Sequence, residues 1–272
     1  MEFRIDRPLY TDYLQALKNP INHRPARACM ERPPSDTNEA AGDAAPLDIP
    51  PFAQRCREAC HDEWEAAASH PFVRSLIEGA LDPDRFRFYQ MQDARYLEAY
   101  ADTCSILSTR FTAPKDKLWF IDGARLAIVV EQELHAGYGE KLGYTPEDVA
   151  ALACSPNNIG YQNHMLQAAG RRSLVEGLAA LAPCPWLYTD IGIRMMEELG
   201  QIPEDHPYAA WLATYADPSF VTYTSDLLAI LERVASEHDG SLLAAAVEAF
   251  RQSVRYEWMF WEQAWMQQAW PV

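Results

Sequence analysis

Apolar residues recur at helical spacing along most of this chain, and no segment alternates apolar and polar positions as a half-buried strand does. From Phe52 onward the pattern predicts helix almost throughout, with proline, glycine and short polar turns between segments. The predicted helices are Ala53–Ala68, Pro71–Gly79, Pro83–Arg110, Lys117–Gly137, Pro146–Leu152, Asn158–Ala169, Ser173–Ala182, Trp186–Leu199, His206–Ala216, Ser219–Ser236 and Leu242–Trp270. The sequence therefore predicts a single all-α bundle.

Residues 1–51 have a different composition from the rest. They hold eight of the nineteen prolines, and residues 33–51 contain almost no large apolar side chain. Such a segment cannot bury enough apolar surface to offset the entropy of ordering it. We therefore expect a weakly ordered, proline-rich extension over 1–51, in which Leu9 to Leu17 has the pattern of a short helix, followed by a helical domain over 52–272.

The composition restricts the partners. A formal net charge of −16 disfavours nucleic acid and anionic membrane surfaces, which leaves small molecules or other proteins. No apolar run has the length of a membrane span, and the N-terminus lacks the pattern of a signal peptide. Six cysteines without CxxC pairs or zinc-ligand spacing indicate neither a disulfide framework nor structural zinc, so we expect a cytoplasmic protein.

The segment LAPCPWLYTDIG, residues 181–192, carries the first chemical signal. Pro183 and Pro185 flank Cys184 and cannot continue the hydrogen bonding of a helix, so a helix must break or restart there. The first turn of a restarted helix carries partial positive charge, and this environment is expected to lower the pKa of the Cys184 thiol. Tyr188, one turn later, lies on the same face and is placed to orient or protonate what the sulfur attacks. The alternative is that Cys184 is a buried core residue.

Two further helices carry polar groups among aromatic residues. Tyr89, Asp93, Tyr96 and Tyr100 share one face of the Pro83–Arg110 helix, which indicates either a ligand-binding stripe or an exposed or interface stripe. Glu257 lies in the aromatic segment YEWMFWEQAW, residues 256–265. If it is buried, its pKa is raised and it suits acid–base catalysis, whereas the alternative is a solvent-facing position.

Glu131 and His135 have the i, i+4 spacing of paired metal ligands. A dinuclear metal site in a helical bundle needs further inward carboxylates and histidines, and the last helix contains no histidine. We therefore expect no metal and interpret the two residues as a buried polar pair.

Four motifs together resemble the TenA, or thiaminase II, family: LAPCPWLYTDIG, the QDxxY of Gln92 to Tyr96, HPYAAWLATY at 206–215, and YEWMFWEQAW. The resemblance covers residues 52 to about 270. It implies a haem-oxygenase-like all-α fold and a homotetramer without a cofactor. It further implies hydrolysis of 4-amino-5-aminomethyl-2-methylpyrimidine to the hydroxymethyl pyrimidine and ammonia in thiamin salvage, with thiamin as a second possible substrate.

The resemblance also implies roles for individual residues. Cys184 corresponds to the nucleophile, Asp93 to the carboxylate that binds the ring nitrogen and 4-amino group, and Glu257 to the acid that handles protons. The residues expected to line the pocket are Tyr96, Tyr161, Tyr188, Tyr215 and the stacking ring Phe260. Two other functions stay open at this point: a non-catalytic pyrimidine- or thiamin-binding regulatory protein, and a metal-dependent oxidase on the same scaffold.

Overall fold

The computed structural model describes residues 46–272, apart from the side chains of residues 130–136. These residues form twelve helices and no strand. The helices are α1 Pro51–Ala59, α2 His61–Ala68, α3 Pro71–Ile77, α4 Pro83–Arg110, α5 Pro114–Leu142, α6 Pro146–Ala151, α7 Pro156–Arg171, α8 Leu174–Leu181, α9 Pro183–Leu199, α10 Ala209–Ala216, α11 Pro218–Ala235 and α12 Gly240–Trp265. The prediction of an all-α fold is confirmed.

Residues 1–45 lie outside the described residues, and with them most of the predicted proline-rich extension and its Leu9–Leu17 segment. Residues 46–50 have no regular secondary structure. Leu47 and Ile49 nevertheless pack against the core, and the backbone N–H of Asp48 donates to Ser225 Oγ on α11 at 3.3 Å. The chain is thus in contact with the helical body a few residues before α1 begins.

Local sequence signals explain the helix starts. Proline occupies the first turn of eight of the twelve described helices, where its missing N–H costs nothing. Side chains cap several of them: Asp82 accepts the N–H groups of Asp84 and Arg85, and Thr145 and Ser173 each form a reciprocal capping box. The predicted span Pro83–Arg110 agrees with α4 at both ends.

Several predicted helix boundaries are wrong, among them those of the last helix, predicted over Leu242–Trp270 and observed over Gly240–Trp265. Two helices differ from the prediction for identifiable reasons. The helix predicted over Lys117–Gly137 extends further in both directions, because Pro114 is suited to its first turn and Gly143 ends it with φ +70°. The helix predicted over Ala53–Ala68 is interrupted at Cys60, whose φ of −128° and ψ of 37° are not helical. No proline or glycine marks this break in the sequence.

The long helices α4 and α5 pack antiparallel as a hairpin. Phe86 near the start of α4 contacts Tyr138 near the end of α5, with ring centroids 5.0 Å apart, and Cys104 lies beside Gly123. Helix α12 packs against α2, α7 and α8, with further contacts to α4 and α9. No helix within residues 46–272 is both long enough and apolar enough to cross a membrane.

Candidate active site

Five helices bring the predicted site residues to one buried region of the bundle. Each of these residues interacts with at least one other member of the set. Helix α4 supplies Asp93 and Tyr96, α7 supplies Tyr161, α9 supplies Cys184 and Tyr188, α10 supplies Tyr215, and α12 supplies Glu257 and Phe260. All except Cys184 are buried, and Cys184 keeps an intermediate exposure. Cys184 is thus the member of this set with the most accessible surface.

The break that positions Cys184 lies between α8 and α9, as the two prolines predict. Helix α8 ends at Leu181 and α9 begins at Pro183. The Ala180 carbonyl, which would accept the Cys184 N–H in a continuous helix, accepts the Ser253 hydroxyl of α12 at 2.7 Å. This hydrogen bond ties the break to the helix that carries Glu257, so Cys184 and Glu257 are held together.

Glu257 is 2% exposed and accepts a hydrogen bond from the Tyr161 hydroxyl at 2.6 Å. Burial raises its pKa from 4.5 to about 7, although hydrogen bonds from Tyr161 and the Cys184 thiol act in the opposite direction. The carboxyl group can therefore both take and give a proton near neutral pH. The solvent-facing alternative for Glu257 is excluded, and the exposed residue of this segment is Trp258, at 37%.

The expected low pKa of the Cys184 thiol is wrong. Burial raises its pKa well above the usual value, the nearby carboxylates of Glu257 and Asp93 raise it further, and the Tyr96 hydroxyl lowers it by hydrogen bonding. Desolvation and negative charge thus outweigh the partial charge of the α9 N-terminus. The resting site holds a thiol beside a carboxyl group rather than a preformed thiolate.

The stripe on α4 is buried over its whole length, so the solvent-facing alternative does not hold. Tyr89, Asp93, Tyr96 and Tyr100 are between 0% and 6% exposed. The charge of Asp93 raises the pKa of Cys184 and of the tyrosines at 188 and 215, which places its carboxyl group near all three. Asp93 is therefore positioned to face a ligand that contacts Cys184.

Aromatic rings line the same region. The ring of Tyr96 lies 5.0 Å from that of Tyr161 and 5.5 Å from that of Phe260, measured between centroids. The rings of Tyr188 and Tyr215 are 4.7 Å apart. Rings with hydroxyl groups provide stacking surfaces together with fixed donors and acceptors, which suits a flat polar ligand.

Gln92, the first residue of the QDxxY motif, fixes α7 against α4. Its side-chain oxygen accepts from Ser155 N at 3.0 Å and Asn158 Nδ2 at 2.9 Å, and its nitrogen donates to the Ala153 carbonyl at 3.0 Å. Gln92 is fully buried. It therefore has a structural part in placing Tyr161 beside Tyr96.

Helix α10 approaches α9 at Gly192. A Cβ added at Gly192 would lie 2.1 Å from the carbonyl oxygen of Tyr215, closer than any real contact. Glycine is thus required where it stands, and its absence of a side chain sets the position of Tyr215.

Sequence reasoning did not assign a role to Trp211, although it lies inside the HPYAAWLATY motif. Its indole Nε1 donates to the Tyr89 hydroxyl at 3.3 Å, and its backbone N–H donates to the Tyr138 hydroxyl at 3.0 Å. Tyr89 was assigned only to the stripe. Spacing alone could not link these residues, because they come from different helices.

The paired residues Glu131 and His135 lie in α5, but their side chains fall outside what the structure describes. Within the described part of the chain, no three histidine, cysteine or acidic side chains are grouped as metal ligands would be. The cysteines at 56, 60, 104, 154 and 184 are all free thiols.

Comparison with known proteins gives consistent matches. The model of the TENA/THI-4/PQQC family matches residues 57–267. An aminopyrimidine aminohydrolase from Halalkalibacterium halodurans is 30% identical over 220 residues, which cover 80% of this chain and 97% of that protein. The thiamine biosynthesis multifunctional protein ThiED of Corynebacterium efficiens is 32% identical over 232 residues, which cover 85% of this chain and 30% of that longer protein.

A solved structure has the same architecture. The TenA homologue from P. horikoshii OT3 superposes with a TM-score of 0.72 at 27% sequence identity. The superposition covers 80% of this chain and 99% of that one.

Proposed function

The chain belongs to the TENA/THI-4/PQQC family, and we propose that it is an aminopyrimidine aminohydrolase of thiamin salvage with Cys184 as its nucleophile. The substrate is 4-amino-5-aminomethyl-2-methylpyrimidine and the products are the hydroxymethyl pyrimidine and ammonia. The observation that carries the proposal is a buried Glu257 carboxyl, hydrogen-bonded to Tyr161, that lies close enough to Cys184 for each group to shift the pKa of the other.

The first step is the addition of sulfur to the ring. Glu257 takes the thiol proton as the Cys184 sulfur bonds to the ring carbon next to the one that bears the aminomethyl group. The ring electrons shift toward the ring nitrogen, where a proton shared between that nitrogen and the Asp93 carboxylate stabilises them. Because the proton moves as the bond forms, the thiol does not need a low resting pKa.

The second step replaces the amine by water. Glu257 gives its proton to the amine, which leaves as ammonia while an exocyclic double bond forms at the ring. Water then adds to this methylene, and its extra proton returns to Glu257. The ring electrons expel the Cys184 sulfur, which restores the aromatic ring and regains a proton from Glu257. The balance is one water consumed and one ammonia released.

The pocket residues select a flat, polar substrate. Tyr96, Tyr161 and Phe260 form one wall, and Tyr188 and Tyr215 form another. An analogue without the amino groups would leave buried hydroxyl and carboxyl groups unpaired, which typically costs several orders of magnitude in specificity.

The decisive test is ammonia release from 4-amino-5-aminomethyl-2-methylpyrimidine by the full chain and by its Cys184→Ser variant. We expect the wild type to release one ammonia per hydroxymethyl pyrimidine formed, and the variant to lose at least about a thousandfold in kcat while still binding the product. Unimpaired turnover in the variant would exclude Cys184 as the nucleophile. Binding without turnover in the wild type would instead favour a regulatory pyrimidine-binding protein.

We further propose a homotetramer in the cytoplasm. Five unpaired cysteines among the described residues suit a reducing compartment. Light scattering on the protein as it elutes from a size-exclusion column should give four times the chain mass of 30.8 kDa. A monomer mass at micromolar concentration would overturn the tetramer.

A further inference from the structure

A chain of three buried side chains lies behind the active site. Trp211 Nε1 donates to the Tyr89 hydroxyl at 3.3 Å, and the Tyr89 hydroxyl lies 3.0 Å from that of Tyr188. Tyr89 is 0% exposed, whereas Tyr188 is 5% exposed. Tyr89 therefore has no accessible surface for a ligand to contact, whereas Tyr188 keeps some.

The chemistry of the three groups sets the direction of the hydrogen bonds. An indole N–H only donates, so the Tyr89 oxygen accepts from Trp211. Among the described residues, the oxygen of Tyr188 is the acceptor placed for the hydrogen of Tyr89. If Tyr188 donated to Tyr89 instead, the buried hydrogen of Tyr89 would lose that acceptor, which costs about 1–3 kcal/mol. The favoured direction runs from Trp211 to Tyr89 to Tyr188.

Packing holds the Tyr89 ring in place. Its centroid lies 5.3 Å from that of Phe72, 5.5 Å from Trp261 and 6.0 Å from Phe260. Trp211 is anchored independently, because its backbone N–H donates to the Tyr138 hydroxyl. Both the donor and the middle member of the chain are thus fixed before any ligand binds.

We propose that Tyr89 is a positioning residue for the hydrolysis, and that it acts by occupying the Tyr188 oxygen so that the Tyr188 O–H donates to the bound aminopyrimidine. This inference rests on the proposed function. Tyr188 lies one turn after Cys184, and the charges of Asp93 and Glu257 act on its hydroxyl, so a Tyr188 hydrogen that is not given to Tyr89 is available to a ligand among these groups. An oxygen that already accepts a hydrogen bond makes its own O–H a better donor.

The kinetic test is a double-mutant cycle of Tyr89→Phe and Tyr188→Phe on the full chain. Tyr89→Phe alone should lower kcat about fivefold to tenfold and change KM by less than about twofold, because one hydrogen bond is weakened in the transition state. In the Tyr188→Phe background, Tyr89→Phe should have no further effect on kcat. An equal loss of kcat in both backgrounds, or no loss in the wild-type background, would overturn the inference.

Tyr208→Phe is the matched control. The Tyr208 hydroxyl is also buried and donates to the Leu81 carbonyl at 2.6 Å, and its ring packs on Phe86 with centroids 4.4 Å apart. Tyr208→Phe thus removes a buried hydroxyl group that has no contact with Tyr188. It should therefore lower the free energy of unfolding to a similar extent and leave kcat unchanged.

A spectroscopic readout separates failure of the relay from failure of the proposed reaction. In protein labelled with [13Cζ]tyrosine and without ligand, the Tyr188 resonance should shift in Tyr89→Phe but not in Tyr208→Phe. An unchanged resonance would overturn the relay whatever the enzyme does. The resonance of Tyr188 could shift in Tyr89→Phe while the wild-type protein releases no ammonia. That result would refute the proposed hydrolysis, and the relay's part in it, but would establish the hydrogen bond between Tyr89 and Tyr188.

Discussion

At the residue scale, the site depends on a thiol and a carboxyl group that are both buried. Burial raises the pKa of Cys184, and it also raises that of Glu257 to about 7. Because both shifts have the same cause, the pair favours its uncharged form at rest. Reactivity therefore depends on the transfer of one proton from the Cys184 thiol to the Glu257 carboxylate during the reaction, rather than on a thiolate that is already present at rest.

This pair predicts the pH dependence of the reaction. In the free enzyme, kcat/KM should rise with pH to a plateau above about pH 7, since Glu257 must be ionised to accept the thiol proton. Glu257→Gln should abolish this rise of kcat/KM with pH and lower kcat/KM by about a hundredfold or more. The measurement is ammonia release across pH 5 to 9.

Glu262→Gln provides the control for that profile. Glu262 is on the same helix, is 37% exposed at its side chain, and pairs with His70 rather than with the site. Glu262→Gln should therefore keep the rise of kcat/KM with pH. A profile that stays the same in Glu257→Gln would show that another group controls the proton.

The sequence supported the choice of these residues but not their ionisation. The aromatic neighbours on α12 left Glu257 either buried or solvent-facing, and the structure has it buried with a raised pKa. The two prolines led correctly to the break at Cys184 but to the wrong direction for its pKa. That direction depends first on burial and then on Glu257 and Asp93, which come from other helices, and tertiary packing sets both.

At the element scale, the position of α10 depends on Gly192. Gly192→Ala forces α9 and α10 apart, because a Cβ there would overlap the Tyr215 carbonyl oxygen. We expect a loss of about 1–3 kcal/mol in the free energy of unfolding together with a raised KM, since Tyr215 moves with its backbone. Urea unfolding and steady-state kinetics measure the two effects.

Gly170→Ala is the comparison for this variant. Gly170 lies in α7, and a Cβ added there would meet no atom within 4 Å. Its alanine variant should be unchanged or more stable by up to about 1 kcal/mol, because alanine favours helix more than glycine does. If Gly192→Ala behaves like Gly170→Ala, the close approach of α9 and α10 does not restrict the fold.

Helix starts were predictable because prolines and capping side chains mark them, as at Pro83 and Thr145. The interruption at Cys60 was not, since its sequence, AQRCREACHDEW, reads as one helix. The approach of α9 to α10 was not predictable either. The glycine was visible in the sequence, but the backbone that it meets lies 23 residues further along the chain.

At the scale of the whole molecule, the helical period was enough to give the class of fold, because burying one face of each helix leaves a bundle as the solution. The period does not say which faces meet. The relay from Trp211 through Tyr89 to Tyr188 joins α4 to the consecutive helices α9 and α10, about a hundred residues further along the chain, and no spacing rule connects them. The helices could thus be predicted from the sequence, whereas the contacts between them could not.

The free energy of unfolding should pass through a maximum as the pH changes, because two buried groups, His70 and Glu257, have opposite pH dependences. Burial lowers the pKa of His70, so its stabilising contribution is complete above about pH 6.5 and is lost as the pH falls below that value. Glu257 has a raised pKa, so its contribution is complete below about pH 4.5 and is lost as the pH rises through about 7. The shift of Glu257 corresponds to about 3 kcal/mol at alkaline pH.

Urea unfolding of three proteins between pH 5 and 8 tests this balance. Glu257→Gln should gain stability over the wild type as the pH rises, because its neutral amide is not penalised by burial. His70→Asn keeps a side-chain acceptor for the N–H of Phe72 but cannot titrate, so its stability should change less than that of the wild type below pH 6.5. If the stability of Glu257→Gln runs parallel to that of the wild type at every pH, Glu257 does not carry its raised pKa in the folded state, and the proposed site lacks a base whose pKa is matched to neutral pH.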